Sequence, residues 1–190
     1  MNICVAGWYF HEPLIGTLLG SKYLSCIVAH RALPGTELRG LDFEVIPNVG
    51  LEFGCYDWFL KNKWGSGPVL FLHDDAELSE SALDAIAGMT VDQAFLFSSE
   101  ADALANGKAH GRAMFCSDKF LTRLKADGGF WYSEEPCNGK PIPATLANVP
   151  DYHNVGIQVF RAYLESLPKE FTVNRVAIVP GLKTGYRGRL

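Results

Sequence analysis

Apolar positions along the chain fall into short runs joined by stretches of helical spacing. Residues 2 to 10 (NICVAGWYF) and 25 to 29 (SCIVA) are rich in β-branched and aromatic side chains. Between them Leu14, Leu18 and Leu19 recur at helical intervals, so the chain opens as strand, helix, strand. Residues 43 to 46 (FEVI) predict a third strand, stopped by Pro47 and Asn48 ahead of Gly50 and Gly54. From Cys55 to Lys63, Tyr56, Phe59, Leu60 and Lys63 share one helical face, which predicts a short helix with that face against the core. Residues 69 to 72 (VLFL) form an unbroken apolar run of the kind buried on both faces in a parallel sheet, and it ends abruptly at His73, Asp74 and Asp75.

Beyond that boundary, Ser81 and Asp84 stand in capping-box spacing and Leu83, Ile86 and Ala87 face one way, so a helix is expected before Gly88. Residues 94 to 97 (AFLF) predict a strand. A polar loop is expected next, then a helix from about Ser117 with Phe120, Leu121 and Leu124 on one face, stopping at Gly128 and Gly129. Four prolines between residues 133 and 152 predict an irregular loop, followed by a helix from about Asn154 to Leu167 and a last strand over residues 173 to 179. No internal repeat or linker interrupts the alternation. It predicts an α/β fold in one domain: a mostly parallel, Rossmann-like sheet with helices on both faces, in three layers.

Composition narrows the function. With 190 residues, 48% hydrophobic and 20% charged, the chain has the make-up of a globular domain and not of a disordered, collagen-like or coiled-coil protein. A net charge of -4 provides no global positive field for a nucleic acid or an anionic membrane, so an anionic ligand needs a local basic pocket. Five cysteines without CxxC spacing suit buried thiols in a reducing cytoplasm. The opening apolar stretch lacks a basic leader and is broken by Gly7, His11, Glu12 and Pro13, and no run of about 18 apolar residues occurs, so neither a signal peptide nor a transmembrane segment is expected.

In open parallel sheets ligands bind beyond the carboxyl ends of the strands, where Asp74 and Asp75 stand. Adjacent carboxylates repel unless a cation or a proton relieves them, and with Glu77 nearby they suit Mg²⁺ or Mn²⁺. The alternative is that one Asp caps the next helix and the other is solvated. His73 is either a metal ligand or a hydrogen-bonding residue of the strand end. Lys183, Arg187 and Arg189, among mobile glycines, either reach a diphosphate or form a solvated tail. GxGxxG, GxxxxGK[ST] and GxSxG are all absent, which argues against a dinucleotide oxidoreductase, a P-loop ATPase and a serine hydrolase.

The run VLFLHDDAEL resembles the strand and DxD-like acidic motif of GT-A-fold glycosyltransferases of the family-2 type. Upstream, NVGLEFGCYDWFL is similar to the asparagine-glycine segment of rhamnan-synthesis glycosyltransferases, and downstream GRAMFCSDKFLTRLKADGGF resembles the helix and Gly-Gly-Phe turn bordering the acceptor site. His73 stands where the first Asp of DxD would be, so Asp75 maps onto the second with Asp74 between them. The resemblance implies a nucleotide-diphospho-sugar donor, a saccharide or lipid-linked acceptor with peripheral membrane contact in the lipid case, and an inverting reaction assisted by Mn²⁺ or Mg²⁺ on Asp75, Asp74 and His73. It places the nucleotide near Trp8, His30 and Arg31 at the ends of the first two strands and near Asn48 and Gly50, and the acceptor near Gly129, Phe130 and Trp131. The base would be Asp151, with Glu134 and Glu135 as alternates. Two other classes remain open: a module of the same fold that binds a nucleotide or glycan, or scaffolds a partner enzyme, without turnover, and an enzyme of metal-assisted phosphoryl or nucleotidyl transfer at the same Asp pair.

Overall fold

A computed structural model describes residues 1–8, 10–31, 40–132 and 152–185, the last segment with side chains from residue 156. Its strands are β1 (Asn2–Gly7), β2 (Leu24–Ala29), β3 (Asp42–Val45), β4 (Val69–His73), β5 (Glu77–Leu78), β6 (Gln93–Phe97), β7 (Ala113–Cys116), β8 (Arg175–Ile178) and β9 (Leu182–Lys183). The helices are α1 (Glu12–Gly20), α2 (Leu51–Asn62), α3 (Glu80–Ala87), α4 (Glu100–Ala105), α5 (Asp118–Ala126) and α6 (Tyr152–Ser166).

Seven strands form one sheet in the order β3-β2-β1-β4-β7-β6-β8, and β5 pairs with β9 in a small second sheet. The large sheet is parallel except for β7, which runs antiparallel to both β4 and β6. The mostly parallel α/β architecture is therefore as the alternation of elements predicts.

Successive strand residues face opposite layers. On one face Cys4, Phe71, Phe95 and Met114 pack against Phe53 and Tyr56 of α2, Phe120 and Leu124 of α5 and Phe160 of α6. On the other, Ile3, Val5, Leu70 and Phe115 pack against Leu14 and Leu18 of α1 and Leu83 and Ile86 of α3. Val69 to Leu72 are wholly buried, as expected of a strand sandwiched between two helical layers.

Several boundaries differ from expectation. The first strand ends at Gly7 and not Phe10, because the backbone N–H groups of Trp8 and Phe10 turn to the Asp74 carboxylate instead of continuing the ladder. Helix α2 starts at Leu51, a full turn before Cys55. Ser79, and not Ser81, caps α3, accepting the N–H of Ala82 at 3.2 Å, while Ser81 already lies within the helix. α4 and β7 occupy the stretch expected to be a polar loop. The proline-rich segment lies outside the described residues.

Candidate functional site

An open cleft of about 710 Å³ lies at the carboxyl ends of β1, β2 and β4. Because β7 runs the other way, its beginning reaches the same end of the sheet: Leu72 pairs with Ala113, and the His73 N–H donates to the Arg112 carbonyl at 2.7 Å. The segment entering β7 therefore completes the wall with His110, Gly111 and Arg112.

The two adjacent aspartates do different work. Asp74 is 2% exposed, and its Oδ2 accepts the backbone N–H groups of Trp8 and Phe10, both at 2.6 Å, so this side chain ties β4 to the loop after β1. Asp75 is as deeply buried, at 2% exposed, but it lines the cleft, and its Oδ1 lies 3.0 Å from His73 Nδ1. Burial raises the Asp75 carboxyl, but the hydrogen bond and charge of His73, the charge of Arg112 and a backbone N–H from Gly185 together hold it below the ordinary carboxylate range. For His73 the balance is the mirror image: burial disfavours its proton, while Asp75 first, then Asp74 and Glu52, raise its pKa above the usual value.

Trp8 is 38% exposed on the cleft wall. Arg31 steadies it, with Nε donating to the Trp8 carbonyl at 2.7 Å and the guanidinium 5.4 Å from the indole centroid. His30 has its ring nitrogens 3.0 Å from the Pro47 carbonyl and 2.8 Å from that of Leu51, and so braces the turn that brings Asn48 into the lining. At Gly50, φ is +76° and a Cβ would run into the Tyr132 ring, which packs the chain after the Gly-Gly-Phe turn onto this turn. Gly129, with φ +89°, backs onto the Asp57 carboxylate, and Phe130 is fully buried among Phe53, Tyr56, Phe71 and Phe160. Trp131 is partly buried.

Lys183 pairs with Glu77 at 2.9 Å across β5 and β9, and His11 approaches the other oxygen of Glu77 at 3.2 Å. This clamp lies just before Gly185, which meets Asp75 and would strike the Arg112 guanidinium if it carried a Cβ at its φ of +78°. Asp151, Glu134, Glu135 and Arg187 fall outside the described residues. The four described cysteines are free and buried, and burial pushes their thiols up, Cys26 to about 12.

Sequence reasoning passed over Arg112, Glu52 and His110, all of which line the cleft. Arg112 makes no ion pair among the described residues and acts on Asp75 through its charge alone. Among the described residues no three His, Cys, Asp or Glu side chains cluster to hold a metal ion. Asp75 does suit the habit of Mg²⁺ and Mn²⁺, which are held by one or two carboxylates together with substrate phosphate oxygens. A cation there would be shared with the ligand.

No family model and no curated protein matches the chain. Among solved structures, the inositol-1-phosphate CTP transferase from T. maritima superimposes with a TM-score of 0.51 at 14% identity, over 96% of this chain and 86% of that one. The apo form of the glycosyltransferase GlyE of Streptococcus pneumoniae TIGR4 gives a TM-score of 0.43 at 13% identity over 99% of this chain, which spans 54% of that protein. The first likeness is one of fold.

Proposed function

We propose that the chain is a cytoplasmic glycosyltransferase that moves a sugar from a nucleotide-diphosphate-sugar donor to a hydroxyl of a saccharide or lipid-linked acceptor. One observation carries the reading: Asp75 and Arg112 line one open cleft at the carboxyl ends of the strands, and no protein carboxylate pairs with Arg112 among the described residues.

In this reading Trp8 offers its exposed indole face to the nucleobase, and Arg112 holds the diphosphate as it takes up the electron pair of the broken sugar–oxygen bond. Mn²⁺ or Mg²⁺ bound between Asp75 and the phosphates would neutralise the charge that develops there. The acceptor oxygen forms the new bond to the anomeric carbon from the opposite side and gives its proton to a carboxylate, so a single displacement inverts the configuration. Asp151 is the first candidate base, with Glu134 and Glu135 as alternates. Arg187 follows directly on the stretch that meets Asp75 and is a second candidate for the diphosphate. The acceptor would lie around Trp131, a reading supported by the packing of its neighbour Tyr132 on Gly50. A lipid-linked acceptor would add peripheral contact with a membrane.

Nucleotidyl transfer is the second reading, favoured by the likeness in fold to a CTP transferase over nearly the whole chain. The cleft charge speaks against it. Among the described residues the lining offers one arginine against two carboxylates, Glu52 and Asp75, a poor match for a triphosphate. The test is incubation with a panel of nucleotide sugars and nucleoside triphosphates plus Mn²⁺. Release of a nucleoside diphosphate from a nucleotide sugar by the wild type, and its loss in a folded Asp75→Ala variant, is the expected result. Wild-type turnover in that variant overturns the assignment, consumption of triphosphates alone establishes the second reading, and binding without turnover leaves a binding module.

A further inference from the structure

Of the two carboxylates that line the cleft, Asp75 and Glu52, one has no donor supplied by the fold among the described residues. Asp74 takes the N–H groups of Trp8 and Phe10, Asp75 takes His73 and Gly185, and Glu77 takes Lys183 and His11. Glu52, in the first turn of α2, lines the same cleft half-buried, and no hydrogen bond or ion pair reaches its carboxylate among the described residues. An ionised carboxylate is acceptor-only, with room for about four donors.

Its neighbour across the cleft is backbone. A Cβ on Gly111 would sit 2.8 Å from Glu52 Oε1 and 3.1 Å from its Cγ, so the bare glycine is what admits the carboxylate to this position. The residue before Gly111 supplies the complementary group. His110 is 8% exposed, borders the cleft and packs against Phe97 with ring centroids 4.4 Å apart. Its Nδ1 accepts the Arg112 N–H at 3.2 Å, which places the ring proton on Nε2, and the buried Nε2 has no acceptor among the described residues. Burial pushes the imidazole pKa down to about 4, so the ring stays a neutral donor near pH 7.

A buried donor and a cleft acceptor on either side of one glycine call for a ligand group that both gives and takes a hydrogen bond. A phosphate does not qualify, since Glu52 repels it. A hydroxyl does. We propose that Glu52 and His110 form a subsite for the hydroxyls of a sugar ring, Glu52 accepting and His110 donating, beside the diphosphate position at Arg112. This rests on the reading of the cleft as a nucleotide-sugar site. The ring is either the ribose or the transferred sugar.

Calorimetric titration of the full chain with Mn²⁺ and three matched pairs tests the subsite: UDP and UDP-glucose, GDP and GDP-mannose, TDP and TDP-glucose, with inorganic pyrophosphate as control. In the pair that binds, Glu52→Ala weakens the nucleotide sugar by roughly tenfold or more, Glu52→Gln restores part of the loss through its amide oxygen, and pyrophosphate affinity stays within about twofold. His110→Phe, which keeps the ring packing and removes the donor, behaves like Glu52→Ala. An equal loss for the diphosphate identifies the ribose as the ring; a loss confined to the nucleotide sugar identifies the transferred sugar. Unchanged nucleotide-sugar affinity in Glu52→Ala, or an equal fall in pyrophosphate affinity, overturns the subsite alone. A wild-type chain that binds pyrophosphate but none of the six nucleotides overturns the nucleotide reading and the subsite with it.

Discussion

The Asp74 Oδ2 atom receives the backbone N–H of Trp8 at 2.6 Å, and by that bond a side chain at the end of one central strand fixes the loop that leaves its neighbour. The same oxygen holds Phe10. Asp74→Ala leaves two N–H groups of this loop without their charged acceptor, at a cost of about 3 kcal/mol in stability by urea denaturation. Asp75→Ala removes a carboxylate that lines the cleft, with its bonds to His73 and to the Gly185 N–H, so it should keep its circular dichroism spectrum while losing turnover a hundredfold or more. If both variants lose stability equally and activity equally, the division of labour between the two acids is wrong.

Among the described residues Arg112 is held in place by its backbone and not by a counter-ion: its carbonyl accepts the His73 N–H and its N–H donates to His110 Nδ1. Its guanidinium is thus available to a ligand at no cost in broken ion pairs. Arg112→Ala should weaken nucleoside diphosphate binding by ten- to a hundredfold, the range of a charge-assisted hydrogen bond of about 1.5–3 kcal/mol, with little change in melting temperature. Arg112→Lys should recover only part, because an ammonium lacks the forked geometry. Equal affinities across the three proteins would remove Arg112 from the site.

His110 gives the fold a pH dependence of definite sign. Its folded pKa of about 4 lies below the ordinary 6.5, because burial disfavours the charged ring. Between those values the unfolded chain carries a proton that the folded one does not, so stability is intact above pH 6.5 and falls by up to about 3 kcal/mol as pH drops to 4. His73, with its raised pKa, contributes in the opposite sense: stability present below 6.5 and lost as pH rises through the folded value. The difference between wild type and His110→Phe isolates the first effect. Denaturation series at pH 7, 5.5 and 4.5 should show the wild type losing stability to acid faster than the variant, and parallel curves would contradict a buried neutral imidazole.

Much of the framework could be read from local pattern because its elements answer to local rules. The run from Val69 to Leu72 is apolar at every position since it lies between two helical layers, and the helix with Phe120, Leu121 and Leu124 on one face needs only that face to be recognised. β7 escaped because its four residues follow a polar stretch and are placed by pairing with β4, about forty residues away in sequence. That omission hid the site as well. Arg112, Gly111 and His110 reach the cleft only because β7 is antiparallel, and nothing in their spacing announces it. Asp74 and Asp75 were visible as a pair, but which one turns to the backbone depends on the loop after β1, whose N–H groups are supplied from more than sixty positions away.

Gly50 illustrates a residue that serves packing and site together. It stands at φ +76° immediately before α2, with Leu51 also at positive φ, and the Tyr132 ring lies where its Cβ would be. Two penalties therefore meet in Gly50→Ala: about 1 kcal/mol for the left-handed backbone and a steric one for displacing the ring. The second is removable. In a Tyr132→Ala background the ring is gone and only the backbone penalty remains, so Gly50→Ala should destabilise the wild type by about 3 kcal/mol and the Tyr132→Ala protein by about 1. The displaced turn also carries Asn48 and precedes Glu52, so the single variant should bind nucleotide more weakly than its loss of stability explains, and the double variant should recover part of that affinity. A cycle in which the two substitutions are simply additive would show that Tyr132 does not press on Gly50, and that the chain after the Gly-Gly-Phe turn is not built onto the wall of the cleft.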